Sequence, residues 1–391
     1  MSVAASPPAF DPNRSANGRD FAAEFAYQFT PLTQRSIAAI RQDWADLAGH
    51  ASESNLFVFP GFVEASLELL GDAAPHLLTL RQGELLIGLM ILRRDWGYAK
   101  LPVPFWRTAM HHEQYLGTPL VRAGSEANFA RALFGWLDNS HLTQCFLNLT
   151  MVSADGAVAT ELAREAKRDA RAVCALNSFE RAAIAPGTTA FGNPEEALRA
   201  SRRKNLRKAR RKLEELGALT IERLTPGGDL ESWLAGFLAM ENTGWKRANN
   251  SAILCCAHET ALYRTIVGDA HAAGCLNFAR MCVAGQPIAY TLDILAPPHG
   301  FCIKSAIDTD FRKYSPGVLM ELETLRHYST SKALRLLDSC TAPDNEMLNE
   351  LWPDRKSIAD LLIARKGGVY EALFRLIMML KRSGQGAETE S

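Results

Sequence analysis

The sequence has no C-x-x-C pair among its eight cysteines, no H-E-x-x-H or comparable spacing among its nine histidines, and no long apolar run. Without ligand spacing of that kind there is no zinc or other metal site to expect, and without about 20 consecutive apolar residues there is no membrane-spanning helix. The cysteines (Cys145, Cys174, Cys255, Cys256, Cys275, Cys282, Cys302, Cys340) lie mostly among apolar residues and read as free thiols of a reducing compartment. Net charge is lacking too, since 43 basic residues balance 43 acidic ones. That balance argues against a general binder of DNA or anionic membranes and leaves room only for a local basic patch. The N-terminal MSVAASPPAFDPNRSANGRD holds no apolar core that could act as a secretion signal. Residues 1–20, polar and broken by proline, are expected to be a disordered tail, and the cytoplasm is the expected compartment.

What is present is apolar bulk. A chain of 391 residues with 47% hydrophobic content can bury the cores of two domains. Residues 21–185 read as one mixed α/β unit. Helical segments broken at Pro60-Gly61 come first, then two strands within LLTLRQGELLIGLMIL about a Gln-Gly-Glu turn. An irregular stretch rich in aromatics and proline, LPVPFWRTAMHHEQYLGTPLV, precedes a helix over 127–137 and a buried strand, CFLNLTMV.

Residues 186–391 form the second unit and open on a basic helix, expected over 194–216. Asn193 is its cap, Pro194 its first helical position and Glu196 the partner three residues after the cap. Leu206, Ala209, Leu213 and Leu216 form a narrow apolar stripe, while nine basic residues between Arg199 and Lys212, Arg203 and Arg207 among them, occupy the other faces without one acid. Such charges repel one another in an isolated helix. The run reads either as a solvated face or as a binding surface for an anionic substrate, a tRNA or a lipid head group.

Past Gly217 the expected elements are a strand (LTIERL), helices over 229–246 and 258–272, a hairpin turning at Ala284-Gly285-Gln286, and a strand (FCIKSAID). A helix then starts at Ser315-Pro316. A buried strand (ALRLLD), a short helix after Pro343 and a strand over 357–364 complete the series. The C-terminal GGVYEALFRLIMMLKR is a short helix, apolar on most sides, read as docked on the core, with peripheral membrane contact as the second reading.

In FRKYSPGVLMELETL, serine can cap the turn that Pro316 opens, yet Gly317 costs about 1 kcal/mol relative to alanine in a helix interior. Glycine there lets something approach the backbone closely. A helix N-terminus with Arg312 and Lys313 beside it favours an anion such as a phosphate.

ENTGWKRANNSAIL, GQPIAYTLDI, KYSPGVLMELETL and LRLLDSCTAPDNEMLNELWPDR, in this order and spacing, resemble the CelD-type GNAT-like acetyltransferase family of cellulose and exopolysaccharide genes, itself related to the FemAB peptidyltransferases. The resemblance covers most of 195–365. It implies an α/β fold, in mixed α+β form, of two tandem GNAT-like domains with mostly antiparallel sheets flanked by helices. RQGELLIGLMIL and VAGQPIAYTLDIL are a faint internal echo of such a tandem. The first domain has no Ser-Pro-Gly counterpart and is expected to be a degenerate copy without cofactor.

The resemblance further implies an acyltransferase using acetyl-CoA or another acyl-CoA, with a sugar, amino sugar or cell-envelope precursor as acceptor. An aminoacyl-tRNA-dependent transferase and a non-catalytic binding protein are the alternatives. Cofactor contacts would come from Lys304, Ser305, Ala306, Arg312, Lys313, Tyr314, Ser315, Gly317 and Val318. The candidate bases are Asp338, first in order, then Asp308 at the preceding strand end, and Glu346. Glu241, Trp245 and Lys246 would meet the acceptor, with Arg203 and Arg207 on the basic helix. The chain departs from many relatives at Arg247-Ala248-Asn249-Asn250, where a glycine-rich segment is usual, and after Asp338, where a lysine-containing turn is usual.

Overall fold

The computed structural model describes residues 16–20, 24–139, 144–186, 195, 198–328 and 331–388, with 16–20, 245 and 382–388 described by backbone alone. Asn193, Pro194, Glu196 and residues 1–15 of the expected tail lie outside the described residues. The chain forms two compact units, one of residues 1–53, 70–178 and 359–391, the other of 54–69 and 179–358.

In the first unit, strands Ala16–Asp20, Phe25–Pro31, His76–Gln82, Leu85–Tyr98 and Leu101–Thr108 pair in sequence, all antiparallel. Phe146–Ser153 then joins parallel to Leu101–Thr108. Helices Gln34–Gly49, Glu126–Asn139 and Ala157–Arg168 accompany this sheet. Two expectations change. Residues 16–20 are a strand rather than part of a disordered tail, and Phe25–Pro31 is a strand where helix was expected. Its alternation buries Phe25 and Phe29 on one face. Leu101–Thr108 forms a strand despite Pro102 and Pro104, its register with Leu85–Tyr98 shifting between Trp96 and Tyr98. The Pro104 carbonyl accepts from Cys145 N, so the ring nitrogen faces away from the Leu85–Tyr98 ladder and interrupts no bond there.

The second unit repeats the same order. Strand Leu219–Arg223 is followed by helices Leu230–Glu241 and Ala257–Ala272, then by antiparallel strands Leu276–Val283, Gln286–Ala296 and His299–Ile307. Helix Pro316–Tyr328, strand Leu336–Asp338 and helix Glu346–Leu351 complete it. Both hairpins turn where the sequence places them, at Gly83 (φ 58°) and at Ala284-Gly285 (φ 49° and 79°). This is the tandem mixed α/β architecture implied by the resemblance, with mostly antiparallel strands flanked by helices. The basic helix is shorter than expected, Ala200–Glu214, with Leu206 and Leu213 buried but Leu216 exposed. The helix expected over 229–246 stops at Glu241 and resumes as the short turn Gly244–Ala248, because Gly244 adopts φ 59°.

The unit boundaries depart from the expected division at 185/186. In the second unit Leu337 and Asp338 pair antiparallel with Ile184 and Ala183. In the first, Met151 N donates to Asp360 Oδ1 at 2.9 Å, and Ala364 N to Ala172 O at 3.0 Å. Each unit thus takes in a segment remote in sequence, 183–184 beside 337–338 in the second and 360–364 in the first.

A buried acid pair fixes helix Pro316–Tyr328 on its sheet. Asp293 accepts from Asn277 Nδ2 (2.9 Å) and Tyr328 OH (3.0 Å). Burial, with the Asp293 charge nearby, pushes the Glu321 carboxyl up to about 8, and burial raises Asp293 as well. A carboxyl that stays protonated in the folded chain while the unfolded one titrates near 4.5 makes stability greatest below pH 4.5 for this group, falling as pH rises toward 8. At about 1.4 kcal/mol per unit, the Glu321 contribution to that fall is on the order of 5 kcal/mol. Glu321→Gln should therefore flatten the dependence of melting temperature on pH from about 4.5 to about 8. An unchanged slope in that variant would show that Glu321 is ionised in the folded protein.

Candidate active site

Strand His299–Ile307 is hydrogen-bonded to Gln286–Ala296 along its length, with a bulge at Ile303, since Leu292 faces Lys304 and Asp293 faces Cys302. Its other edge pairs in parallel with Leu336–Asp338 only through His299, Gly300 and Phe301. Beyond Phe301 the two strands part, and among the described residues 302–307 have no strand partner on that side. An edge of backbone groups is left available next to the segment that leads into the Pro316 helix.

The chain leaves this strand through Asp308, whose carboxylate accepts from Asp310 N (2.9 Å) and caps the 3-10 turn Thr309–Tyr314. Ser315 follows at φ 52°, ψ 50°. It closes that turn with its backbone instead of capping the helix with its side chain, which corrects the expected role of Ser315. The first intrahelical bond runs from Leu319 N to Ser315 O (3.2 Å). The N–H groups of Gly317 and Val318 therefore precede the helical ladder and point out of its positive end. A Cβ on Gly317 would meet only Ile307 Cγ2, at 3.4 Å. Arg312 and Lys313 are exposed beside this helix start, and the basic helix Ala200–Glu214 packs against the same 3-10 turn. Lys204, Arg207, Lys208 and Arg211 are exposed on its face opposite Leu206 and Leu213, while Arg203 is half-buried.

The other expected residues separate into groups. Glu241 is buried (3% exposed), accepts from Ile253 N (2.9 Å) and pairs with Lys246 Nζ at 3.0 Å. Lys246 Nζ also reaches Ser305 O at 3.5 Å, so two expected acceptor residues stand beside an expected cofactor strand. The side chain of Trp245 lies outside the described atoms. Lys304 turns its ammonium to the Tyr263 ring (5.8 Å), and Tyr314 is half-buried against the core of the second unit. Ala306 is buried.

Asp338, the first candidate base, is corrected by its surroundings. It is fully buried and pairs with Arg181 (2.7 Å) and Lys356 (3.1 Å), while its other oxygen accepts from Cys340 N (2.9 Å). Burial alone would raise this carboxyl, but the Lys356 ammonium and Arg181 guanidinium hold it down at about 2. A carboxylate so occupied anchors the strand end and makes a poor proton acceptor. Glu346 is exposed at the start of its short helix. Asp308, by contrast, lines a pocket of ≈ 320 Å³ with Gly236, Met240, Thr243, Pro287 and Tyr290.

Those five pocket residues escaped the sequence reading. Gly236 carried a signal of the same kind as Gly317, a glycine inside a helix. A Cβ there would stand 2.6 Å from the Tyr290 hydroxyl, so the missing side chain makes room for the phenol. Burial raises Tyr290, and its hydroxyl bonds to Arg280, which stacks on Trp233 (4.3 Å) and pairs with Glu222 (2.6 Å).

Residues 200–346 match a family model described as an acetyltransferase (GNAT) domain. Among solved structures the chain is similar to FemX, with 11% identity and a TM-score of 0.51 over 89% of this chain and 99% of that one. It is also similar to the C-terminal domain (DUF2156) of a putative lysylphosphatidylglycerol synthetase from Agrobacterium fabrum, with 11% identity and a TM-score of 0.50 over 88% and 96%. At such identities the likeness shows the fold alone. No curated protein matches the sequence. The parted strands, the bare helix start and the pocket all lie within or beside the segment that matches the acetyltransferase (GNAT) domain model.

Proposed function

We propose that the second unit is an acyl-CoA-dependent N- or O-acyltransferase of the CelD type, with acetyl-CoA as donor and a sugar, amino sugar or envelope precursor as acceptor. The observation that carries this reading is the parting of His299–Ile307 from Leu336–Asp338 after Phe301, directly ahead of the bare helix start at Gly317. The residues fit a CoA pyrophosphate. Space is open over Gly317, and the exposed Arg312 and Lys313 supply charge. When bound, the thioester supplies an activated acyl carbon.

Backbone N–H groups within 302–307 would donate to the carbonyl oxygen of a bound donor. The Asp308 carboxylate, which follows the same strand and lines the pocket, would take the proton of the attacking nitrogen or oxygen. Lys246, held by Glu241, offers a cation to the polar part of the acceptor. The pocket volume lies at the lower end of the range for small-molecule sites. The counterpart helix of the first unit opens on Glu126, whose charge disfavours an anion at a helix N-terminus, so one cofactor site per chain is expected. A CoA donor would place the reaction in the cytoplasm.

Calorimetric titration with acetyl-CoA tests this directly, one site per chain being the expected result. Absence of binding by both acetyl-CoA and CoA would remove the reading. The exposed basic face beside Thr309–Tyr314 favours a second reading, FemAB-like transfer from aminoacyl-tRNA. Changing Lys204, Arg207 and Lys208 to glutamine should leave acetyl-CoA affinity within about threefold, these phosphate-free surface charges being screened at working salt. If the same changes abolish binding of aminoacyl-tRNA that weakens steeply with salt, the tRNA reading takes precedence.

A further inference from the structure

No helix among the described residues is long and apolar enough to cross a membrane. The C-terminal helix Gly368–Glu388 nevertheless has two apolar faces. One carries Phe374 and Ile377, which are buried with Phe105, Phe146 and Leu362 in a core of the first unit. The other is exposed. Val369 (80%), Leu376 (41%), Met379 (59%) and Leu380 (39%) recur at helical spacing, with Ala372 and Arg375 also exposed between them. A helix needs one apolar face to dock on its core, and the second face does nothing for that docking.

We infer that this second face lies in the surface of a bilayer containing anionic lipid, holding the protein at the membrane without spanning it. Charge supports that occupant. Between Val369 and Leu380 the exposed charge is Arg375, Glu371 being half-buried, while Lys381 turns its ammonium to the Tyr98 ring (5.4 Å) on the docked side. An apolar row bordered by one exposed cation suits an interfacial helix, with apolar side chains at the acyl boundary and Arg375 at anionic head groups. Area argues against a second copy of the chain. From Val369 to Leu380 the helix rises about 17 Å, and a row about 10 Å wide gives on the order of 170 Å², far below the ~800 Å² per partner of a stable interface. A bilayer needs no matched surface and accepts so narrow a row. The inference is independent of the proposed transfer reaction and is read without any acyl donor, although a lipid-linked envelope precursor would be met at the same surface.

The test is co-sedimentation of the full chain with vesicles of equal phosphatidylcholine and phosphatidylglycerol, and with vesicles of phosphatidylcholine alone. Binding is expected to the anionic vesicles, at least tenfold weaker in the Leu376→Ser, Met379→Ser double variant, and retained in Leu376→Ile, Met379→Leu. Both pairs sit on an exposed face, and an unchanged melting temperature confirms that folding is preserved. Absence of binding to the anionic vesicles overturns the inference. Binding that the serine variant keeps overturns it too, since the attachment then lies elsewhere, as on the basic helix. A concentration-dependent dimer in sedimentation velocity, lost in the serine variant and without vesicle binding, would show that a second copy covers the face.

Discussion

Gly317→Val is expected to bind CoA at least tenfold more weakly than the parent while melting at nearly the same temperature. The helix accommodates the change, because even a Cβ at this position meets only Ile307 Cγ2 at 3.4 Å, and a β-branched residue costs a helix a few tenths of a kcal/mol. The ligand does not. A branched side chain would fill the space over the Gly317 and Val318 N–H groups, where the pyrophosphate belongs. Charge-assisted hydrogen bonds are worth about 1.5–3 kcal/mol each, so losing one already lowers affinity roughly tenfold or more. Gly317→Ala, with a single methyl at contact distance, is the mild control. Parent-like CoA binding by the valine protein would reduce Ser-Pro-Gly to an ordinary helix start.

Asp338→Ala should be the most destabilising single change in the second unit. It would leave Arg181 and Lys356, 1% and 4% exposed, as buried cations without their shared carboxylate. Removing one partner of a buried ion pair costs about 3–5 kcal/mol. In a domain of 150–250 residues each kcal/mol moves the melting temperature by about 2–4 °C, so a drop of roughly 6–20 °C is expected. Asp338→Asn, close in shape but uncharged, should also melt early. If Asp338 were the catalytic base, the asparagine variant would instead lose turnover at parental stability. Melting curves and single-turnover rates on the same samples separate the two roles.

The contrast between these residues shows what a sequence can carry. Gly317 was readable because its cost is local. A poor helix former in a first turn, flanked by Arg312 and Lys313, needs a reason, and the backbone geometry supplies the space for one. The hairpin turns at Gly83 and Ala284-Gly285 were readable on the same ground. Asp338 looked like a base because a carboxylate at a strand end is all its neighbourhood in sequence reveals. Of its partners, Arg181 lies 157 residues away on strand Val173–Ile184, and Lys356 stands on strand Asp354–Ala364, beyond the helix Glu346–Leu351. The compact units divide at 178/179 and 358/359, where the sequence suggested a single division at 185/186. The pocket around Asp308 was hidden for a similar reason, since Gly236, Tyr290 and Asp308 meet only when a helix crosses two strands. Ser315 illustrates the limit of local reasoning itself. Its residue type suits a side-chain cap, yet the preceding 3-10 turn sets its backbone in the left-handed region.

Amide hydrogen exchange with and without acetyl-CoA tests the central claim most directly. Protection is expected in two stretches of the second unit, the strand edge 302–307 and the helix start 316–319, with none in 101–126 of the first. Protection of the first unit instead, or binding that leaves both stretches of the second unchanged, would contradict it.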